Sequence, residues 1–211
     1  DGGSFRHALA AGRGGDPEQR RKRGQKIYAL HAPGVECIGK GKARKPYEFG
    51  CKVSVAITNA RSPGGMFVLH TKAFHGTPYD GHTLGTVVRD LEQITGIEPQ
   101  RIYVDKGYKG HDAPNSFRIY RSGQKRGVIG QIRRELKRQS AIEVVIGHMK
   151  TDGKLDRNYL KCREGDRINA IMAAIGHNFR LLINWFRIFL RLILTAMFNS
   201  IGQNQPHNRR Q

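Results

Sequence analysis

Apolar and polar residues alternate between Tyr47 and Thr58, with Val53, Val55 and Ile57 on one side, and this period of two predicts a strand. Ser62-Pro63-Gly64-Gly65 is a turn signal. The β-branched and aromatic run from Met66 to Phe74 predicts a returning strand, hence a hairpin. The period then changes. Leu84, Val87, Val88 and Leu91 stand at i, i+3, i+4 and i+7, the stripe of an amphipathic helix that starts near Asp80, runs to about Thr95 and is ended by Gly96. Ile102-Tyr103-Val104 predicts a short buried strand that ends in the acidic turn Asp105-Lys106-Gly107-Tyr108. Further on, the pattern predicts a short strand over Arg118 to Arg121, a long helix over about Ile129 to Thr151, and two more helices over about Asp166 to Phe198. Ahead of all these, Ile27, Tyr28, Leu30 and Val35 form a short extended segment, followed by the basic loop Gly39-Lys40-Gly41-Lys42. A hairpin, a helix, a strand and then helices make an α/β order.

Residues 1–26 show no apolar periodicity and end in Arg20-Arg21-Lys22-Arg23, so they are expected to be a disordered basic arm. Residues 27–198 form one folded domain in this reading, and residues 199–211 a polar tail. The stretch Phe179 to Leu194 is apolar but carries Arg180, Asn184, Arg187 and Arg191 on one helix face, too many polar groups for a membrane span of that length. A core-packing or subunit-contact helix is expected there, with a membrane-surface helix as the alternative, and no membrane partner.

Charge narrows the choice of partner. Thirty-seven Lys and Arg against 17 Asp and Glu leave a formal charge of +20, which repels itself unless a polyanion neutralises it. The three cysteines, Cys37, Cys51 and Cys162, are widely spaced and include no CxxC pair, so neither a zinc ribbon nor a disulfide framework is indicated. Such usage suits a reducing cytoplasm.

Two carboxylates stand out. Asp105 directly follows a buried strand, and sites in open α/β sheets gather at strand ends, although a lone Asp-x-Gly also reads as an ordinary turn. Glu143 shares a helix face with Gly147 and Lys150, opposite the apolar Ile142, Val145, Ile146 and Met149; an exposed glutamate on an amphipathic helix is the plain alternative. Acids from separate elements can hold Mg²⁺, and two such ions can clamp the attacking and leaving oxygens of a phosphodiester. The run from Arg118 to Arg138 holds eight Lys or Arg against one acid, Glu135, as a surface that tracks a phosphate backbone should. Lys125, Arg126, Arg133, Arg134, Lys137 and Arg138 are its candidate DNA contacts, with Lys150 near the site of cutting.

A resemblance extends over roughly Lys26 to Leu194. It rests on Tyr28-Ala-Leu-His-Ala-Pro33, Glu36-Cys-Ile-Gly-Lys-Gly-Lys42, Pro46-Tyr-Glu-Phe-Gly50, Pro78-Tyr-Asp-Gly-His-Thr83, Asp105-Lys-Gly-Tyr108, Ala141-Ile-Glu-Val-Val-Ile-Gly-His148 and Gly176-His-Asn-Phe-Arg180. In these passages the chain resembles the C-terminal part of DDE-type transposases of the insertion-sequence-5 group, related to the insertion-sequence-4 transposase domain. The resemblance implies a ribonuclease-H-like mixed sheet flanked by helices, and metal-dependent cleavage and strand transfer of DNA during transposition. It makes Asp105 the second metal-binding acid and Glu143 the third, with Lys150 at the family's spacing from it. It implies a two-Mg²⁺ site in an intact protein, double-stranded DNA (element ends and target) as partner, a homo-oligomer on DNA, and a place on the bacterial nucleoid in the cytoplasm.

Two passages depart from the family pattern. Leu136 and Gln139 occupy the spacings of its usual Tyr and Arg, with Arg138 one place off. The first catalytic Asp, which the family carries on a strand before the hairpin, has no counterpart: Asp1 and Asp16 lack an apolar strand before them, and Asp80 follows the hairpin. The expectation is therefore an incomplete sheet whose first catalytic strand lies upstream, with DNA binding and little or no catalysis. A nuclease of the same fold and a non-catalytic basic nucleic-acid-binding protein are the alternatives.

Overall fold

A computed structural model describes residues 27–30, 32, 34–39, 46–60, 64–114 and 118–203, so the expected basic arm and the last eight residues of the tail lie outside it. Within it the architecture is mixed α/β. Strand β1 (Glu36–Gly39) pairs antiparallel with β2 (Tyr47–Gly50), and β3 (Lys52–Ile57) pairs antiparallel with β4 (Val68–Phe74). Strand β5 (Ile102–Val104) pairs parallel with β6 (Ile119–Arg121). Helix α1 covers Leu84–Thr95, α2 Gly130–Arg138, α3 Ile142–Thr151 and α4 Cys162–Gln203.

The predicted hairpin is present as β3 and β4, with Val55 opposite Thr71. Its first strand is shorter than the alternation suggested. At Gly50 φ is +138°, a conformation that favours glycine, and the chain changes partner there: Gly50 faces Glu36 while Lys52 faces Phe74. Helix α1 ends as predicted, with Gly96 in the left-handed region (φ 66°) and its N–H donating to the Glu92 carbonyl. The turn before it, Asp80–Thr83, is a 3-10 helix.

Three elements differ from expectation. The mixed sheet is three separate two-stranded ladders among the described residues. Two-stranded ladders hold poorly without a packed face, and here helices supply it. The long helix over 129–151 is two helices joined by the 3-10 turn Gln139–Ala141, where the Ser140 hydroxyl donates to the Lys137 carbonyl at 2.8 Å and competes with the helical ladder. The two C-terminal helices are one helix of 42 residues, about 63 Å long. Gly176 costs it only about 1 kcal/mol relative to alanine, too little to break a helix held on the body on both sides of that position.

Two cores hold the body together. One is Val68, Val145, Met149, Ala173 and Ala174, with Val55 and Ile57 packed on it, so that β3, β4, α3 and α4 meet. The other is Leu84, Val88, Val104, Ala113 and Ile119, joining α1, β5 and β6. Asn178 of α4 seals the outer side of β4: its side chain accepts from the Val68 N–H at 2.8 Å and donates to the Val68 carbonyl at 2.8 Å.

The distal part of α4 differs from the rest. By length and composition alone this helix could cross a membrane, with an 18-residue window of mean hydropathy 1.7 and none of that window buried. The sequence reading, which counted charges only as far as Leu194, had placed it below that threshold; the helix in fact continues to Gln203 and takes in the first five residues of the expected tail.

Candidate nucleic-acid interface

Asp105 stands where the sequence placed it, immediately after β5 and exposed. Its Oδ1 accepts from the Lys106 N–H at 2.7 Å, capping the 3-10 turn Lys106–Tyr108. The turn brings in Asp80, a carboxylate that the sequence places at a helix start and, by its order after the hairpin, outside the role of first acid. Asp80 Oδ2 lies 2.8 Å from where a Cβ on Gly107 would sit, so only glycine lets the two segments meet without a shift. Lys52 Nζ donates to Asp80 Oδ1 at 2.9 Å and to the Pro78 carbonyl at 2.6 Å, which balances that charge. Beneath them Tyr108 is pushed above its ordinary pKa by burial and then by the nearby Asp80 charge.

Helix α2 presents the basic run. Arg133, Arg134 and Lys137 are exposed, while Glu135 is 8% exposed. This carboxylate accepts from Arg101 Nε at 2.8 Å and Nη2 at 3.2 Å, from Gln131 Nε2 at 2.6 Å and from the Tyr103 hydroxyl. Arg138 Nη2 approaches the same carboxylate at 3.9 Å. The hydrogen bonds from Arg101 chiefly, then those from Tyr103 and Gln131, hold Glu135 down to a pKa of about 2, and burial pushes Tyr103 up to about 12. Asn59 of the segment after β3 adds a bond to the Glu135 backbone carbonyl at 3.0 Å. Glu135 thus ties α2 to β5, the strand that leads into Asp105. Sequence reasoning counted it only as the lone acid in a basic run; its spacing from Arg101 and Tyr103 carried no local signal.

Two adjoining grooves, of about 480 and 660 Å³, run along this region. The first is lined by His111, Ile119, Arg121, Gln124, Lys125 and Arg126; the second shares Gln124 and Lys125 and continues to Arg133, Leu136 and Lys137. Among the described residues five cations and no carboxylate line these two grooves, together a basic trough that meets at Gln124 and Lys125. Lys125, Arg126, Arg133 and Lys137 were expected on such a surface, and Arg121, at the end of β6, joins them. Arg134 is exposed but outside the lining, and Arg138 turns toward Glu135 instead.

Helix α3 carries the second predicted acid. Val145 and Met149 are buried as its core face, Glu143 is exposed in the first turn, and Lys150 is half-buried in the last. A Cβ on Gly147, between them, would meet nothing within 4 Å, so packing does not require glycine there.

The two acids belong to elements that serve different cores, β5 in one and α3 in the other. Among the described residues no hydrogen bond or ion pair joins Asp105 to Glu143, and no group of three or more His, Cys, Asp or Glu is placed to hold a metal ion. Both carboxylates are exposed hard-oxygen donors of the kind Mg²⁺ takes. Two of them alone make a partial ligand set. Compared with known proteins, the chain matches no family model, no curated protein and no solved structure.

Proposed function

We propose that this chain binds double-stranded DNA along the trough lined by Arg121, Lys125, Arg126, Arg133 and Lys137, as the C-terminal part of a DDE-type transposase of the insertion-sequence-5 group. The trough is the observation that carries the reading. Its cations come from the β6 end, the following loop and α2, with no acid among them, which is what neutralising a row of phosphates requires. Two of the three ladders support the ancestry: the antiparallel β3–β4 pair and the parallel β5–β6 pair are what a ribonuclease-H-like sheet without a central strand would leave. Asp105 and Glu143 would hold Mg²⁺, which would supply Lewis-acid stabilisation of a phosphodiester's oxygens. For the rest, this chain's residues bind and orient: the trough grips the backbone, the Glu135 tie sets α2 against β5, and Lys150 contacts a phosphate near Glu143. The chain acts as a homo-oligomer on bacterial nucleoid DNA in the cytoplasm, with little cleavage of its own.

Binding is tested by fluorescence anisotropy of a labelled duplex across a salt series; affinity should fall linearly on a log–log plot, and a salt-independent affinity would remove the phosphate contacts from the account. The acids are tested by Mn²⁺ binding followed by electron paramagnetic resonance. Asp105→Asn and Glu143→Gln should each weaken it if they share an ion. Should neither change it, the second reading stands: a non-catalytic DNA-binding protein, favoured by the placement of the two carboxylates on elements that serve different cores. A nuclease of the same fold would cut labelled element DNA with Mg²⁺ but yield no strand-transfer products.

A further inference from the structure

Helix α4 buries one apolar face, and its distal half exposes apolar side chains on its other sides as well, among them Ile183, Trp185, Ile188 and Leu192. The face of small residues, Ala170, Ala173 and Ala174 with His177, is buried on β4 and α3. Roughly opposite it on the helix wheel, Ile175, Phe179, Leu182, Phe186, Phe189 and Ile193 recur in steps of four and three residues. The same register extends back through Met172 and Ile168, so the pattern holds a 3.5-residue period over more than three heptads. Every one of these eight side chains is between 40 and 61% exposed. Arg180, Arg187 and Arg191 fall on the far side of the helix from this seam.

A period of 3.5 is the signature of a helix that winds on another helix. At roughly 100 Å² each, the eight side chains expose on the order of 800 Å² of apolar surface, about what each partner contributes to a stable interface. That exceeds the largest apolar patch of an ordinary monomer.

We propose that the Ile168–Ile193 seam of α4 is a self-association surface, occupied by the same seam of a second copy of this chain. The proposal names the surface behind the oligomer of the preceding section, yet it needs no DNA, so each can fail without the other. The test is size-exclusion chromatography with light scattering on the full chain, without DNA, over a wide concentration range. A species of twice 23.7 kDa is expected to grow with concentration. Phe179→Glu with Phe186→Glu should raise the dimer dissociation constant by about a hundredfold or more, because two charges would be buried at the seam. Both side chains are exposed in the single chain, so helicity and melting temperature measured below the dissociation constant should not change. Arg187→Ala, on the far side, should leave the dimer intact. A monomer at all concentrations, or a double variant that associates like the parent, would overturn the proposal. So would a monomer that floats with phosphatidylcholine–phosphatidylglycerol vesicles, which would assign the seam to a bilayer.

Discussion

Helices α2 and α3 are neighbours in the chain, and each carries a glutamate, yet the two acids live in opposite surroundings. Glu135 is buried and accepts hydrogen bonds from three side chains, Arg101, Tyr103 and Gln131. Glu143 is exposed and has no hydrogen-bond or ion-pair partner among the described residues. A carboxylate whose lone pairs are all engaged is a fastener; removing it strands the cation that faced it. A carboxylate with free lone pairs contributes little to folding and is available to something else. The contrast gives the first acid a part in stability and leaves the second free for the ligand contact proposed above, and it can be broken by experiment.

The largest effect should come from Glu135→Ala, which leaves Arg101 unpaired and the Tyr103 hydroxyl without an acceptor. A loss of about 3 kcal/mol is expected, a drop in melting temperature of roughly 6–12 °C by calorimetry. Glu143→Ala should stay within about 0.5 kcal/mol of the parent. Equal losses in the two variants would end the distinction.

The second effect is pH-dependent. Glu135 is held at about 2 in the folded chain, against 4.5 for the unperturbed group. A depressed carboxylate contributes stability above its unfolded pKa and loses it as pH falls through the folded one. Stability should therefore decline from pH 4.5 toward 2, by up to about 3 kcal/mol from this group. Urea unfolding through that range should show a steeper decline in the parent than in Glu135→Gln. Identical slopes would mean that other carboxylates govern the acid limb.

The third concerns the trough. Lys125→Ala with Lys137→Ala should weaken duplex binding roughly tenfold and lower the log–log salt slope by about 2. Arg134→Ala, outside the lining, should change both by half as much or less. The smallest effect separates folding from binding at one position. Gly147→Ala should stabilise α3 by about 0.5–1 kcal/mol, since helix propensity improves and the new methyl meets nothing. If DNA passes over that face between Glu143 and Lys150, the same variant should bind it more weakly. Unchanged affinity would take the ligand away from Gly147.

Local pattern foretold local structure well. The alternation at Val53, Val55 and Ile57, the stripe from Leu84 to Leu91 and the stop at Gly96 each became the expected element. Four of the five cations that line the grooves were also legible, because they are clustered along the sequence. What could not be read was tertiary. Arg101 and Tyr103 lie 34 and 32 residues from Glu135, so nothing near that acid announces its partners. Asp80 was judged by its order in the chain, whereas the glycine that admits it to the Asp105 turn is found only in space. The unbroken length of α4 was missed for a related reason: a lone glycine weakens a helix slightly, and the contacts that outweigh it are made by distant strands.

Asn178 carries one more implication. Its amide holds both backbone groups of Val68, so at that position β4 has no vacant valence for a neighbouring strand. In Asn178→Leu those two groups would stay buried beneath the helix without a partner, at a cost of about 1–3 kcal/mol each. One side chain on a helix thereby fastens the strand's edge to the body.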